Sequence, residues 1–253
     1  MKEKSHFFAK AEQIFTQNGV FDLVSEEKLE KFYHLTEIMN DTGKMMNITA
    51  IKDEDDIISL HYADSLLLLL AEIEQGARVL DVGCGGGFPL FPIAIARPDL
   101  SVTGIDSTAK KINYINDTAK KLELSNVRAV SARAEELASG AEQGEWRENF
   151  DVCTARAVAA LPILTELCIP FVKVGGRFIA LKSRLADSEL ADAVGGIEKL
   201  GGKVENVIKT ELFTGKEGSE AYAERNIIII RKISNTPEKY PRQYSMIKKK
   251  PLK

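Results

Sequence analysis

Residues 79–87 read Val-Leu-Asp-Val-Gly-Cys-Gly-Gly-Gly, and a second apolar run ends in Ile105-Asp106. An apolar run that closes on an acid and then turns on Gly83, Gly85, Gly86 and Gly87 reads as a strand leading into a tight turn. Glycine has no Cβ and tolerates positive φ, so such a turn brings main chain close to a bound ligand. Asp106, at the end of the next expected strand, stands where an acid grips a ribose. The two features together predict a nucleoside-containing cofactor at the carboxyl edge of a parallel sheet. A strand-to-helix turn with no ligand is the alternative; the coincidence of strand, alternating glycines and spaced acid favours the cofactor.

The dinucleotide fingerprint places glycines at its first, third and sixth positions. Counted from Gly83, the third is Gly85 but the sixth is Phe88. The run is instead acid-x-Gly-x-Gly-x-Gly, the form used by S-adenosylmethionine enzymes, in which no pyrophosphate has to be seated.

At 253 residues the chain is long enough for one large domain, or one domain with an appendage. No window approaches the ~20 apolar residues of a membrane helix. The N-terminus mixes lysine and glutamate without an apolar segment and cleavage site, so no export signal is expected. Cys84, Cys153 and Cys168 are odd in number and lack paired spacing, which suggests neither a disulfide framework nor a zinc site, and no metal is expected. A reducing cytoplasm fits, and the chain is expected to work as a monomer. The formal charge of −3 argues against a globally basic nucleic-acid binder but leaves room for a local basic patch.

Residues 1–75 carry apolar positions at three- and four-residue intervals and predict helices, with Ser25 at an N-cap and Gly43 and Asn47 at a break. Beyond Gly76 the period changes. Strands are expected at 78–82, 101–105, 127–130, 151–155 and 177–182. Helices alternate with them at 89–97, 107–122 (with Ser107 as cap), 133–138, 161–171 (ending near Gly175-Gly176) and 186–200, and a polar loop covers 139–149. Two further strands, about 203–212 and 225–233, have no helix between them. The expected fold class is therefore α/β: a Rossmann-like, mostly parallel seven-stranded sheet with an antiparallel edge hairpin and an N-terminal helical extension. The expected division is 1–75 for the extension, 76–235 for the cofactor domain and 236–253 for a basic tail.

Four segments outside the glycine turn could carry chemistry. Ala134-Glu135 follows the third strand, where an adenine would lie; a solvated acid opening a short helix is the alternative. Arg156 ends the fourth strand and faces ligand in an open α/β sheet. His61 and Ser65 lie four apart on a helix; a helical histidine is more often structural than catalytic, and no metal-ligand partner is spaced from it. From Glu238 to Lys253 the chain sets Lys239, Arg242, Lys248, Lys249, Lys250 and Lys253 against a single acid, with Tyr240 and Tyr244 interleaved. A frayed solvated tail would look like this, and so would an RNA contact made of phosphate-binding cations and stacking aromatics.

Asn47-Ile48-Thr49, His61 through Ser65, Asp81 through Pro89, Arg97-Pro98, Asp106-Ser107, Arg156-Ala157, Leu181-Lys182 and Tyr240-Pro241-Arg242 occur in this order. With these motifs the chain, from about residue 25 onward, resembles the glucose-inhibited division protein B family, bacterial methyltransferases of small-subunit (16S) ribosomal RNA. The resemblance implies S-adenosylmethionine as methyl donor and guanine N7 as acceptor. It implies Gly83, Phe88, Ala134, Glu135 and Arg156 as cofactor contacts. Gly85 and the ribose-side Asp106 join them from the turn and strand argument. Arg156, Lys182, Arg242, Lys248, Lys249 and Lys250 are the expected RNA contacts. The chain departs from the family pattern at Leu90, Lys110-Lys111 and Ser245-Met246-Ile247. A small-molecule methyltransferase, a non-catalytic RNA-binding factor and, least favoured, a nicotinamide oxidoreductase are the rival readings.

Overall fold

The computed structural model describes residues 3–43, 46–139, 143–183 and 187–253. Its centre is a seven-stranded sheet of β1 (Arg78–Val82), β2 (Ser101–Asp106), β3 (Val127–Ser131), β4 (Phe150–Arg156), β5 (Val172–Lys182), β6 (Gly202–Phe213) and β7 (Tyr222–Lys232). The spatial order is β3-β2-β1-β4-β5-β7-β6. Strands β1 to β5 pair in parallel, and β7 runs antiparallel to both β5 and β6. The expected hairpin is therefore present, but its second strand is inserted, so that β6 alone forms that edge. The strand order reverses between the parallel neighbours β1 and β4, and this crevice at the strand carboxyl ends is where α/β sheets bind ligands.

Helices α1 (Lys4–Gln17) and α2 (Glu26–Thr42) lead into a continuous helical run. That run begins with α3 (Glu54–Ile57), becomes a π-helical turn over Ile58–Ala63, and ends with α4 (Asp64–Leu66) and a 3-10 turn over Leu67–Ala71. Asp53 caps α3, its carboxylate accepting from the Asp55 and Asp56 N–H groups, while Ser25 sits at the N-cap of α2 without a side-chain cap bond. The apolar face of these helices does not form a separate core. Phe7, Phe15, Phe32 and Tyr62 share one buried cluster with Val79, Val102 and Ile229 of the sheet. On the other side, α9 (Leu161–Cys168) and α10 (Asp187–Lys199) cover Leu80, Phe178 and Ile230 in a second cluster. The remaining helices are α5 (Leu90–Ala96), α6 (Ala109–Lys121), α7 (Ala134–Ser139), α8 (Gln143–Trp146) and α11 (Tyr244–Lys249).

Three local expectations are corrected. Ser107 does not cap α6: the N-cap is Thr108, and the Thr108 N–H is taken by the Asp106 carboxylate. Gly175-Gly176 do not follow a helix end but lie inside β5, where the register jumps from Phe150↔Val172 to Val152↔Arg177. Gly175 has φ +87, and a Cβ on Gly176 would stand 2.6 Å from the Asp151 carbonyl, so only glycines fit this excursion. The loop expected over 139–149 contains α8 and lies partly outside the described residues, as do residues 1–2 and 44–45 of the helical extension and Ala186 of the helix expected from that residue.

The basic tail is docked rather than frayed. Ile247 and Leu252 are buried in the second cluster, and Lys199 Nζ donates to the Lys253 carbonyl at 2.6 Å. Arg242, expected to face RNA, is instead directed onto Glu166 of α9. Its backbone N–H (2.8 Å), Nε (2.9 Å) and Nη2 (2.6 Å) donate to that carboxylate, which is fully buried. Removing the cation would strand a buried charge, a loss of about 3–5 kcal/mol. Arg242→Ala is therefore expected to lower the denaturant midpoint and the melting temperature by about 10 °C; an unchanged urea transition would show that Glu166 does not depend on it.

Candidate active site

The glycine turn is held from below by the neighbouring strand. Gly83 and Cys84 N–H both donate to the Ile105 carbonyl (2.8 and 3.0 Å), and Gly87 N–H donates to the Cys84 carbonyl (2.7 Å). Gly83, Gly85 and Gly87 all have positive φ. Their surroundings differ. A Cβ on Gly83 would come within 2.7 Å of Val158, on Gly86 within 2.9 Å of the Ile48 carbonyl, and on Gly87 within 2.2 Å of Phe91. On Gly85 it would meet nothing closer than the Gly83 carbonyl at 3.7 Å. Gly85 is thus the member of the turn that opens onto free space, and its N–H donates to Asp106 Oδ2 at 3.1 Å. With Oδ1 on Thr108 N–H (2.8 Å), Asp106 braces both the turn and the start of α6 and keeps further lone pairs for hydroxyl groups of a ligand.

That space is a cleft of about 640 Å³ at the carboxyl ends of β1, β2 and β4. Gly83, Gly85, Phe88, Asp106, Ala134, Glu135 and Arg156, the seven residues expected to contact a cofactor, all line it. Of the expected RNA contacts, only Arg156 does. Lys182 is paired with Glu189 (2.8 Å) and donates to the Ala159 carbonyl, and Arg242 is bound to Glu166. Lys248, Lys249 and Lys250 are exposed on or just after α11, whose first residue, Tyr244, reaches the cleft wall.

At the end of the cleft remote from Asp106, β4 meets the π turn. Arg156 Nη1 donates to Asp64 Oδ2 (2.8 Å) and the Leu60 carbonyl (2.9 Å), and Nη2 lies 3.2 Å from His61 Nδ1. Arg225 of β7 donates to the other oxygen of Asp64. The His61 ring stacks on Phe88 at 4.3 Å and 5°, and its Nε2 is 2.7 Å from Thr49 Oγ1. Burial, with the Arg156 charge adding to it, holds the His61 pKa down at about 3, so the ring is neutral at physiological pH. Ala157, directly after Arg156, has φ +56, a strained backbone at the cleft edge. Thr49 and Lys111 also line the cleft without having been assigned a role from the sequence, as does Tyr244, read there as one of the aromatics of the tail. The signals available were Asn47-Ile48-Thr49 as a motif, the Lys110-Lys111 pair and the aromatics of the tail. Among the described residues, no three His, Cys, Asp or Glu side chains gather in a way that could hold a metal.

Asp81, on β1 under the turn, is the anomaly. It is 1% exposed, and neither carboxylate oxygen reaches ordinary hydrogen-bond geometry with a described residue, the Leu90 backbone N–H giving it only a weak pull. Burial raises its pKa to about 7, against the opposing pull of Arg156.

The family model described as rRNA small subunit methyltransferase G matches residues 26–214. A protein named ribosomal RNA small subunit methyltransferase G from Clostridium perfringens (strain 13 / Type A) is 41% identical over 230 residues, 90% of this chain and 92% of its own length. One of the same name from Lactobacillus delbrueckii subsp. bulgaricus (strain ATCC BAA-365 / Lb-18) is 40% identical over 245 residues, covering 96% and 98%. The crystal structure of the [4+2]-cyclase SpnF aligns with a TM-score of 0.53 at 15% identity, covering 83% of this chain and 97% of that one. The likeness to SpnF is one of fold alone, and a fold does not fix a reaction.

Two outcomes follow from this geometry. Gly85→Leu fills open space at a positive-φ position. It is expected to weaken S-adenosylmethionine binding at least about tenfold, with a strain cost of only about 1–2 kcal/mol; calorimetry and thermal melting separate the two. For Asp81, the folded state holds its proton to about pH 7 while an unfolded chain releases it near 3.8. The folded state thus binds more protons across this window, and stability falls as pH rises through it. Asp81→Asn, measured without cofactor, is expected to melt about 5 °C or more above the parent at pH 8, the gap closing towards pH 4.

Proposed function

The chain belongs to the rRNA small subunit methyltransferase G family, and from that premise we propose that it transfers a methyl group from S-adenosylmethionine to N7 of a guanine in small-subunit ribosomal RNA. The observation that carries this reading is the cleft itself. An open glycine turn braced by Asp106 lies at one end, and a fixed cationic strand end lies at the other, at the reversal point of the sheet. Asp106 and Glu135 suit the adenosine half of the cofactor. Arg156 spends three donor hydrogens on Leu60, Asp64 and His61, which leaves two of its five for the methionine carboxylate. The bound cofactor supplies an electrophilic methyl group on a sulfonium centre.

What remains for the protein is positioning. Guanine N7 offers a lone pair and loses no proton, so attack requires no general base. The titratable groups nearest the methyl end are consistent with this. His61 is held neutral, with one nitrogen engaged by Arg156 and the other by Thr49, and Arg156 is ion-paired with Asp64, a carboxylate it shares with Arg225. A ring that becomes cationic on methylation therefore meets a neutral imidazole, and the surplus positive charge of the arginine pair is left for the cofactor carboxylate to offset. N7 lies on the Hoogsteen edge, which the narrow major groove of A-form RNA hides, so the target belongs in a loop or opened structure. The exposed lysines of α11 border the cleft through Tyr244 and suit the RNA backbone. In this reading the enzyme is cytoplasmic and monomeric. Among the described residues, no helix is long and apolar enough to cross a membrane. Family membership leaves the nicotinamide oxidoreductase without support.

Labelled cofactor incubated with small-subunit RNA from an unmodified strain is expected to place label in that RNA; label in small molecules only, or in nothing, would refute the assignment. The rate is expected to fall gradually at low pH and to show no basic limb of an essential base. Replacing Lys248, Lys249 and Lys250 by alanine should reduce the salt dependence of RNA binding by a slope of about 2 and leave cofactor affinity unchanged. Equal loss of both would assign the lysines to folding.

A further inference from the structure

The proton positions around Thr49 follow from its neighbours. A guanidinium only donates, so His61 Nδ1, 3.2 Å from Arg156 Nη2, must offer its lone pair. The neutral ring then carries its proton on Nε2 and donates it to Thr49 Oγ1 at 2.7 Å. The Ile51 N–H donates to the same oxygen at 3.1 Å. Both lone pairs of the Thr49 hydroxyl are thereby occupied. Its one proton has no acceptor among the described residues, and Thr49 lines the cleft. The hydroxyl is a donor that cannot accept, held rigid by a chain running from Arg225 through Asp64, Arg156 and His61.

Resting on the reading above, we propose that Thr49 determines base specificity by donating its hydroxyl proton to O6 of the target guanine. O6 neighbours N7 on the Hoogsteen edge, whereas adenine presents an N6 amino group there. A hydroxyl with both lone pairs taken satisfies O6 and offers an amino group nothing, so it accepts guanine and rejects adenine. The cofactor carboxylate has Arg156 and does not require this donor. His61, Arg156 and Asp64 act as positioning residues that set the polarity of the hydroxyl.

The test uses the full chain with small-subunit RNA, first native and then ligated with 2-aminopurine riboside at the position that acquires label. That analogue keeps N7 and lacks O6. Thr49→Val is expected to lower kcat/KM on native RNA about tenfold or more, with cofactor affinity retained and the melting temperature lowered by only a few degrees for the donors it leaves unpaired, and Thr49→Ser to restore both. The parent enzyme should lose a similar factor on the 2-aminopurine RNA, and Thr49→Val should lose little further, because the contact is already absent. If Thr49→Val loses cofactor affinity in step with activity, or is as sensitive to the analogue as the parent, Thr49 does not read O6. If the parent labels no guanine at all, the functional reading itself fails and this inference fails with it.

Discussion

Asp64 between two arginines is the interaction on which the active end of the molecule depends. Its two oxygens take Arg156 of β4 and Arg225 of β7, and all three side chains are nearly buried. A helix from the first part of the chain is thereby fixed to two non-adjacent strands of the sheet. A buried carboxylate beside one arginine would be a doubtful stabiliser, because desolvation offsets attraction. Here the second guanidinium and the Leu60 carbonyl satisfy groups that would otherwise be stranded. The cluster keeps one net positive charge facing the cleft, a suitable surplus for an anionic end of a ligand.

The same cluster explains why the helix adopts a π turn. Between Ile58 and Ala63 the wider turn carries His61 to the cleft wall while Tyr62 stays in the core with Thr36 and Phe32. An ordinary α-helical turn sets successive residues 100° apart, and π turns recur where function needs a different spacing. The spacing of His61 and Ser65 suggested a shared face. The two do share a face, and Ser65 donates to the His61 carbonyl at 2.6 Å, so its hydroxyl is taken up by the helix backbone while the imidazole lines the cleft.

Much of this was legible in the sequence because its causes are local. Alternation between strand and helix periods, and glycines at positive φ, are properties of a few consecutive residues. Gly85 and Asp106 could accordingly be named from the turn and strand alone, while the family resemblance supplied Gly83, Phe88, Ala134, Glu135 and Arg156; all seven line the cleft. The fate of the charged side chains was not legible, because it depends on partners far away in sequence. Arg242 belongs to Glu166, Lys182 to Glu189 and Arg156 to Asp64, and no spacing rule connects these pairs. Gly175-Gly176 were misread for a related reason: two adjacent glycines signal a break, but only the register with β4 shows that the break is a strand excursion. Thr49 could be noticed as part of a motif, yet its polarity is set by a hydrogen-bond chain that ends on β7.

The pattern of charge around the cleft is better suited to a cation formed late than to proton transfer. A catalytic base would need a titratable group with a free lone pair near the methyl end. His61 is the only imidazole lining the cleft, and its one basic nitrogen points at a guanidinium. Protonating it would set a cation on the Phe88 ring beside Arg156, and burial with that repulsion keeps its pKa near 3. Asp81 is buried and has no contact with the cleft surface, so its raised pKa belongs to the energetics of the fold rather than to a proton relay. Burial moves both groups towards their neutral forms, fully for His61 and to a pKa of about 7 for Asp81. A site built in this way lowers the barrier by holding donor and acceptor in line, and its selectivity then falls to whichever fixed dipole faces the base.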